Sequence, residues 1–588
     1  MKKLILIFGL LLSLESIGQT SKDYLDIGFK KKELQDYKGA IEAYNSAIQL
    51  DPNSAVAYTN RGYSKIKIKD FKGAINDFDK AIELDPSSSD SYFYRGNAKS
   101  ELDDHLGSKN DWAIAFNNRG LAKLVSEDYS EAIDEFTKAI EMDPTNWTSY
   151  VNRGSTKITI NDFRGAIADF TQGIELNPKD IEIYNNRIIA KLELKDFRGV
   201  IDDYNKLIEL NPNESVYFTN RGNAKRELKK LSDALLDYNK AIDINARDTS
   251  AYNNRIAIEL ELKDFVGVIN DYSKLIDLYP DDGEYYFNRG NAKKEINNTI
   301  GAIEDFNKAQ FYRGEKMFIK NNFRKAIEEY NLAIGLNSMD ENSYYKRGLS
   351  KIEIQDYSGA LEDLKKVVKI NSKNSAAYIK IGDLYFGLFN FKKSIEYYNK
   401  AIEIEPKNAA AYFSRCDTKL NLRDYEGAIE DCDKAIELDS RYKLAYVDRG
   451  NAKNYVKDYK GAIEDYSKAI EIDQKYALAF LNRGITKNDL KEYTEAIIDF
   501  KKAIEFNPTD PDGFFNRGIS KYHMNDYKGA IEDFNKAIEL DKTFSKAYLN
   551  RANAKHKISD LNGACLDWNI AKQYGDTSAK DLLKKFCK

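Results

Sequence analysis

Several residue types that support common protein functions are scarce in this chain of 588 residues. It holds nine Pro and 33 Gly, too few for a disordered, collagen-like or linker-rich protein. Three His and four Cys leave little material for metal sites, since zinc takes most of its ligands from these residues. Lys and Arg number 90 against 94 Asp and Glu, so the chain lacks the basic excess typical of nucleic-acid-binding proteins.

The chain also lacks the short motifs that mark common catalytic sites. It contains no P-loop, no Gly-rich dinucleotide turn and no G-x-S-x-G elbow. None of His105, His523 and His556 has another His or Cys at metal-ligand spacing. We therefore expect no enzyme, no metal and no cofactor, and we keep an enzyme with an unrecognised site as the third of three hypotheses.

Long apolar runs are absent except at the start of the chain. Two Lys precede an apolar run at residues 4–14, and small residues follow it. This order is typical of a secretory signal peptide, and the run is too short to span a bilayer, which takes about 20 residues. No Cys follows the expected cleavage point, so a lipid anchor is not expected. We predict a signal peptide at residues 1–18 and a periplasmic or secreted mature protein.

The remainder of the chain is built from one repeated pattern. The dipeptide Arg-Gly recurs, and with the Arg or its replacement as the anchor there are 17 anchors. Fourteen of the 16 intervals between anchors are 34 residues long, and the other two are 24. The anchors are Ile27, Arg61, Arg95, Arg119, Arg153, Arg187, Arg221, Arg255, Arg289, Arg313, Arg347, Ile381, Arg415, Arg449, Arg483, Arg517 and Arg551.

Each repeat carries small and aromatic residues at helical spacing. An aromatic residue lies three positions before the anchor in every repeat except the one with Gln310. A small residue, an aromatic residue and a further Ala follow 13, 17 and 20 positions after the anchor, as at Ala74, Phe78 and Ala81. Such spacing places side chains on one side of a helix. Eight of the nine Pro lie 25 residues past an anchor, where each would end a second helix.

This pattern resembles the tetratricopeptide repeat (TPR), a helix-turn-helix unit of 34 residues. The family pattern is W-x2-L-G-x2-Y, then A-x3-F, then P. The second repeat here reads Tyr58-x2-Arg61-Gly62-x2-Lys65, then Ala74-x3-Phe78, then Pro86. The resemblance covers nearly the whole chain after residue 18. It implies an all-α solenoid, a superhelix of about 17 repeats whose first helices line the concave face.

Arg replaces the family's Leu at 15 of the 17 anchors, and the residue 16 positions later is acidic in all 15. The two Ile anchors have Ala43 and Tyr397 there instead. Because both members change together, we infer that the Arg of the first helix pairs with the acid of the second. We expect the pairs to fix helix register, the alternative being a row of ligand sites. Three predicted structural pairs are Arg153 with Asp169, Arg221 with Asp237, and Arg449 with Asp465.

Asn precedes the anchor in ten repeats. The series resembles the Asn ladder of the protein O-linked N-acetylglucosamine transferases, which holds extended peptides by their main chain. An amide suits this role because it donates and accepts at once, although an Asn there could instead face solvent or cap a neighbour. From Arg313 to Arg449 other residues replace Asn, ending with Asp448. The predicted partner-binding residues are Asn118, Asn152, Asn186, Asn220, Asn254, Asn288, Asn482, Asn516 and Asn550.

The two short intervals lack the end of one second helix, the turn and the start of the next first helix. We predict one fused helix at each place. These breaks would divide the array into blocks of three, six and eight repeats at residues 19–112, 113–306 and 307–574. Residues 575–588 are predicted to form a capping helix.

The four Cys allow three pairings, and we favour the two local ones. Cys416 and Cys432 would lie on the two helices of one repeat, and Cys565 and Cys587 on the last second helix and the cap. Export permits oxidation without proving it.

These features predict a non-catalytic scaffold that binds protein or peptide partners on the concave face. A second hypothesis is a structural assembly or spacer element of an envelope complex that uses its convex face and caps. We expect no nucleic-acid partner and no membrane insertion after signal removal. The partner, the process and the oligomeric state do not follow from the sequence.

Overall fold

The computed structural model describes residues 20–587, and within this range every regular element is an α-helix. The predicted signal peptide at residues 1–18 lies outside the described residues. The helices form an all-α solenoid of helix pairs, in two compact units that divide between Leu278 and Tyr279. The division into three blocks remains a prediction.

The first unit contains fifteen described helices, arranged as antiparallel pairs in chain order. They are α1 (Ser21–Glu33), α2 (Tyr37–Leu50), α3 (Ala55–Lys67), α4 (Phe71–Leu84), α5 (Ser89–Ser100), α6 (His105–Val125), α7 (Tyr129–Met142), α8 (Trp147–Thr159), α9 (Phe163–Leu176), α10 (Ile181–Glu193), α11 (Phe197–Leu210), α12 (Ser215–Glu227), α13 (Leu231–Ile244), α14 (Thr249–Glu261) and α15 (Phe265–Leu278).

The second unit contains the remaining eighteen described helices. They are α16 (Gly283–Glu295), α17 (Thr299–Ile319), α18 (Phe323–Leu336), α19 (Glu341–Glu353), α20 (Tyr357–Ile370), α21 (Ser375–Gly387), α22 (Phe391–Ile404), α23 (Ala409–Asn421), α24 (Tyr425–Leu438), α25 (Lys443–Tyr455), α26 (Tyr459–Ile472), α27 (Ala477–Asp489), α28 (Tyr493–Phe506), α29 (Pro511–His523), α30 (Tyr527–Leu540), α31 (Ser545–Lys557), α32 (Leu561–Gln573) and α33 (Ser578–Phe586).

The helix pair α3 and α4 shows how one repeat folds. Asp70 caps α4 by accepting a hydrogen bond from the Gly73 N–H at 3.0 Å. The aromatic ring of Phe78 is fully buried against α3. A Cβ atom added at Gly62 would lie 2.8 Å from this ring, so the anchor-plus-one Gly is what allows the two helices to approach closely.

The turn between the two helices of each repeat passes through a left-handed residue. In the second repeat this is Lys69, with φ of 62°, and the next N–H, that of Asp70, donates to the Lys65 carbonyl at 2.9 Å. All 17 such positions hold residues other than Gly. Gly or Asn is the usual signal for this turn. Asn occupies only four of the 17 positions, so the sequence pattern did not predict the turn.

The two short intervals between anchors are each spanned by one helix of 21 residues, α6 and α17, as predicted. The first half of α6 packs on α5 as a second helix, and its later half packs on α7 as a first helix. At the C-terminus, α33 packs on α32, and Phe586 stacks on Trp568 with ring centroids 5.8 Å apart. No helix within residues 20–587 combines the length and apolar character that a membrane span requires.

The candidate partner-binding face and its ion pairs

The anchor Arg of each regular repeat lies in a network of charged and polar groups. Arg61 donates to both carboxylate oxygens of Asp77, at 2.9 Å from Nε and 2.5 Å from Nη2. Lys65 contacts the same carboxylate at 2.9 Å. The third nitrogen of Arg61, Nη1, donates to Asn45 on α2 at 2.8 Å. The Arg therefore joins its own second helix to the second helix of the preceding repeat.

The Arg–Asp pair forms in 13 repeats, in which the Asp side chain is at most 5% exposed. Among the pairs expected from the sequence, the structure brings together Arg153 with Asp169, Arg221 with Asp237, and Arg449 with Asp465. In 12 of the 13 repeats a Lys four residues after the Arg contacts the same Asp. The sequence shows Lys where the family has Tyr but does not indicate which side chain this Lys contacts.

Two of the 15 expected Arg–acid pairs are not formed, and both lie where a fused helix supplies the Arg. Arg119 on α6 contacts Asp90 at 3.3 Å and lies over the ring of Phe93, both on α5. Arg313 on α17 contacts Glu284 on α16 at 2.9 Å. The expected partner of Arg119, Glu135, binds Lys138 instead and leaves its buried Oε2 unpaired. Here the preceding second helix and the first helix that carries the Arg are one continuous helix. The Arg contacts the neighbouring first helix instead.

The repeat of α14 and α15 has an acid where fourteen others have Lys. Glu259 is 9% exposed, and its Oε2 is buried without a hydrogen-bond partner. Its Oε1 lies 3.8 Å from Nε of Arg255, which is engaged by Asp271. Burial, followed by the nearby charge of Asp271, raises the pKa of Glu259 to about 7.

The predicted Asn residues lie on the first helices, and all nine are partly exposed. Within each unit, most first helices contact the first helix of the next repeat. We call the surface that these Asn residues form within each unit the first-helix face of that unit. Five of them occupy consecutive first helices in the first unit, namely Asn118, Asn152, Asn186, Asn220 and Asn254 on α6, α8, α10, α12 and α14.

The amides of the first-helix face have different local partners. Asn152 donates to Asn117 and Asn482 donates to Asn451, each at 2.9 Å and each across adjacent first helices. Asn118 donates to the carbonyl of Ser87 at 3.2 Å. Asn516 and Asn550 donate to carbonyls four residues earlier in their own helices. These amides therefore bond either to a neighbouring repeat or within their own helix, and peptide binding by them remains a prediction.

A cavity of about 470 Å³ opens among the first helices α23, α25 and α27, where the Asn series is interrupted. Its lining residues are Asp417, Leu420, Asn421, Asp448, Asn451, Asn454, Tyr455, Tyr466, Asn482 and Ile485. Burial, with a further contribution from the charge of Asp417, raises the pKa of Asp448 to about 7. The sequence showed Asp448 as a departure from Asn, but nothing in it placed Asp417 beside it.

The four Cys form two disulfides, Cys416–Cys432 and Cys565–Cys587, with Cα–Cα distances of 5.6 and 5.8 Å. Cys416 stands where most repeats have the anchor-plus-one Gly, and Cys432 where they have the aromatic residue that covers it. Within residues 20–587, no three side chains among His, Cys, Asp and Glu are grouped as a metal site would need.

Comparison with protein families gives matches along much of the chain. A family model described as TPR repeat matches residues 31–68 and 457–488. Two models described as tetratricopeptide repeat match residues 55–88 and 511–544, and residues 113–146, 148–180, 341–374, 375–408, 409–442 and 477–510. Together these matches cover more than half of the chain. No curated protein matches the sequence.

Among solved structures, the chain is similar to MamA, with 27% identity, a TM-score of 0.27, and coverage of 27% of this chain and 94% of that one. It is similar to a tetratricopeptide repeat protein from Parabacteroides merdae at 20% identity and TM-score 0.36, covering 42% of this chain and 99% of that one. For yeast Tom70 the identity is 17% and the TM-score 0.30, with coverage of 77% and 97%.

Proposed function

Since the chain belongs to the tetratricopeptide-repeat family, whose members generally mediate protein–protein interactions, we propose that it is a scaffold that holds extended segments of partner proteins on its first-helix face. The family is typically non-catalytic, and we propose the same for this chain.

The observation that carries this proposal is the row of partly exposed amides on five consecutive first helices, from Asn118 on α6 to Asn254 on α14. A peptide backbone offers one N–H donor and one carbonyl acceptor per residue, and each Asn amide complements both. Contacts of this kind tolerate many sequences, so the neighbouring side chains would supply any preference for a particular partner.

The test is a variant in which Asn152, Asn186, Asn220 and Asn254 are all changed to Ala. Peptides would be selected on the wild-type chain from a displayed library of unstructured sequences, and their affinities measured by fluorescence anisotropy. We expect the variant to lose at least tenfold in affinity while its thermal unfolding is unchanged.

A matched control removes the amides of Asn53 and Asn213, which are exposed residues of loops between repeats. This control should bind like the wild type. Undiminished binding by the fourfold variant would discard the first-helix face as the binding element. The search would then move to the second hypothesis, a structural element that uses its convex face and caps.

We also propose that the protein works outside the cytoplasm, in the periplasm or after secretion. The leader-like order of residues 1–18 supports this, and so does the pairing of all four Cys, since disulfides persist chiefly in oxidising compartments. Fractionation of cells that express the tagged chain would test it. Recovery of the uncleaved chain in the cytoplasm would contradict it.

A further inference from the structure

We infer that the cavity among α23, α25 and α27 receives a cationic side chain, Arg or Lys, of the segment held on the first-helix face. This inference rests on the proposed function, because it assigns a specificity to the same face. The charged group of that side chain, a guanidinium or an ammonium, would lie between Asp417 and Asp448.

In six repeats the residue two positions after the anchor accepts a hydrogen bond from the aromatic residue of its own second helix. Tyr238 donates to Asn223 at 2.8 Å, and in the repeat before the cavity Tyr398 donates to Asp383 at 2.8 Å. Asp417 occupies this position in the repeat whose aromatic residue is replaced by Cys432. The disulfide thus removes the donor that would engage Asp417, and the carboxylate is left to line the cavity.

The second carboxylate arises from the interruption of the Asn series. Asp448 stands immediately before its anchor, where ten repeats have Asn. Its carboxylate accepts from Asn451 at 3.5 Å, and that of Asp417 accepts from Asn421 at 3.1 Å. Within residues 20–587 neither carboxylate takes part in an ion pair, unlike the 13 Asp residues that pair with an anchor Arg. Two partly buried carboxylates without a counter-ion favour a cationic ligand.

The rest of the lining is already held in place. Asn451 accepts from Tyr466 and from Asn482, each at 2.9 Å, which fixes its amide with the NH₂ group toward Asp448. Leu420 and Ile485 add apolar surface, on which the methylene stem of an Arg or Lys side chain can pack. The volume of about 470 Å³ lies within the usual range of ligand pockets, about 300–1,000 Å³.

The charge state of the cavity gives the binding a pH dependence. The raised pKa of Asp448, about 7, means that this carboxyl is half-protonated near neutrality. The charge of Asp417 on α23 acts on Asp448. The facing phenols of Tyr442, Tyr466 and Tyr476 are neutral in this pH range, because burial and the charge of Asp448 both raise their pKa. Because a cation binds the ionised form, the affinity should rise as the pH increases from 6 to 8 and fall about tenfold per unit well below pH 7.

The experiment uses the full chain with two acetylated and amidated peptides of equal length. One peptide has a single central Arg and the other a central Gln, in an otherwise identical Ala and Ser sequence. We expect the wild type to bind the Arg peptide at least tenfold more tightly at pH 8. The Asp417→Asn/Asp448→Asn variant should bind both peptides equally. Asp448→Asn copies the residue of ten other repeats and is expected to fold normally.

The control variant is Asp489→Asn, which removes an exposed carboxylate at the end of α27 outside the cavity. It should keep the preference for Arg. Equal affinity of the wild type for both peptides would overturn the inference while leaving peptide binding intact. A preference that survives in the double variant would overturn it as well.

Two further probes separate this inference from the proposed function. N-acetyl-arginine amide tests the cavity without a peptide backbone, by calorimetric titration. If it binds the wild type and not the double variant while neither peptide binds, the pocket stands and the proposed function fails. Spermidine tests a free amine as occupant. Tight binding of spermidine without any preference for the Arg peptide would overturn the assignment to a peptide side chain.

Discussion

A buried Asp of this chain has two cationic partners, an Arg on the first helix and a Lys one turn later. In the first unit, Arg221 and Lys225 both contact Asp237, whose side chain is 5% exposed. A buried ion pair offers little net stability over a well-packed apolar contact, but removing one partner is costly. The Ile381 repeat shows the apolar alternative, with Tyr385 stacked on Tyr397 at 5.5 Å.

We predict that Asp237→Ala lowers the free energy of unfolding by about 3–5 kcal/mol, because it leaves two cations without their carboxylate. The control, Asp202→Ala, removes an exposed acid from α11, the second helix of the preceding repeat, and should change stability by less than about 0.5 kcal/mol. Urea unfolding followed by circular dichroism would measure both. Similar losses in the two variants would show that Asp237 has no special role.

Copying the Ile381 repeat should restore most of this loss. The sequence alone suggested changing Arg221 and Asp237 together. The structure adds Lys225, which would otherwise stay unpaired, so the variant is Arg221→Ile, Lys225→Tyr and Asp237→Tyr. A loss equal to the sum of the three single changes would contradict a coupled network.

Glu259 makes the stability of the repeat of α14 and α15 fall as the pH rises. Its pKa is about 7 in the folded chain, above the ordinary value for Glu, so folding favours the protonated form. The folded state therefore binds more protons than the unfolded state between pH 4.5 and 7, and stability falls as the pH rises through this window.

We predict that Glu259→Gln removes this fall and is more stable than the wild type at pH 8 by on the order of 3 kcal/mol, with little difference at pH 4.5. Glu259→Lys, which restores the residue of fourteen other repeats, should be stabilising at pH 8 as well. Thermal unfolding of the three proteins from pH 4.5 to 8 would decide this. A constant difference across that range would rule out Glu259 as the titrating group.

At the scale of the helix, the ends of each element are set by caps and left-handed turns. In the turn after every first helix, two or three residues beyond its end, one residue has a positive φ, and the side chains there range from Asn to an aromatic ring. Phe389 has φ of 56°, and its side chain is 81% exposed. The ring therefore buries little apolar surface that could offset the cost of the left-handed backbone.

We predict that Phe389→Asn raises the free energy of unfolding by about 1 kcal/mol, because Asn tolerates the left-handed region better than an aromatic residue. Asn161 and Asn525 already occupy this position in other repeats. Replacing Asn161 by Phe is the matched reverse change and should cost a similar amount. Denaturant unfolding measures both variants. The prediction requires that the free energy of unfolding rises for Phe389→Asn and falls for the reverse change at Asn161.

The Cys416–Cys432 bond replaces the contact of Gly with an aromatic ring that joins the two helices in most repeats. Reduction leaves two buried thiols in place of that ring. We predict that reductant destabilises the helix pair α23 and α24 by about 3 kcal/mol, whereas a Cys416→Gly/Cys432→Tyr variant is insensitive there. Amide hydrogen exchange of α23 and α24, with and without reductant, would show the difference. Equal exchange in the wild type would contradict it.

At the scale of the whole molecule, each repeat contacts chiefly the repeats next to it in the chain. The fold is therefore built from one scheme of contacts that is repeated along the array. That scheme could be predicted because 17 copies expose it: the 34-residue period, the small and aromatic positions and the joint change of Arg and acid all lie in the sequence. The copies also allowed the fused helices and the local Cys pairs to be expected.

The sequence by itself determined the repeat, the helices and the partners that lie at a constant offset within a repeat. It did so because a fixed period converts a distance along the chain into a distance in space. The tertiary structure decided the side-chain contacts that depend on which helix lies beside a residue, because that helix is not the same in every repeat. Arg119 and Arg313 leave the expected acids because a fused helix changes what lies beside them. Asp417 and Asp448 come together because first helices of adjacent repeats pack on each other, and no spacing within a single repeat encodes that contact.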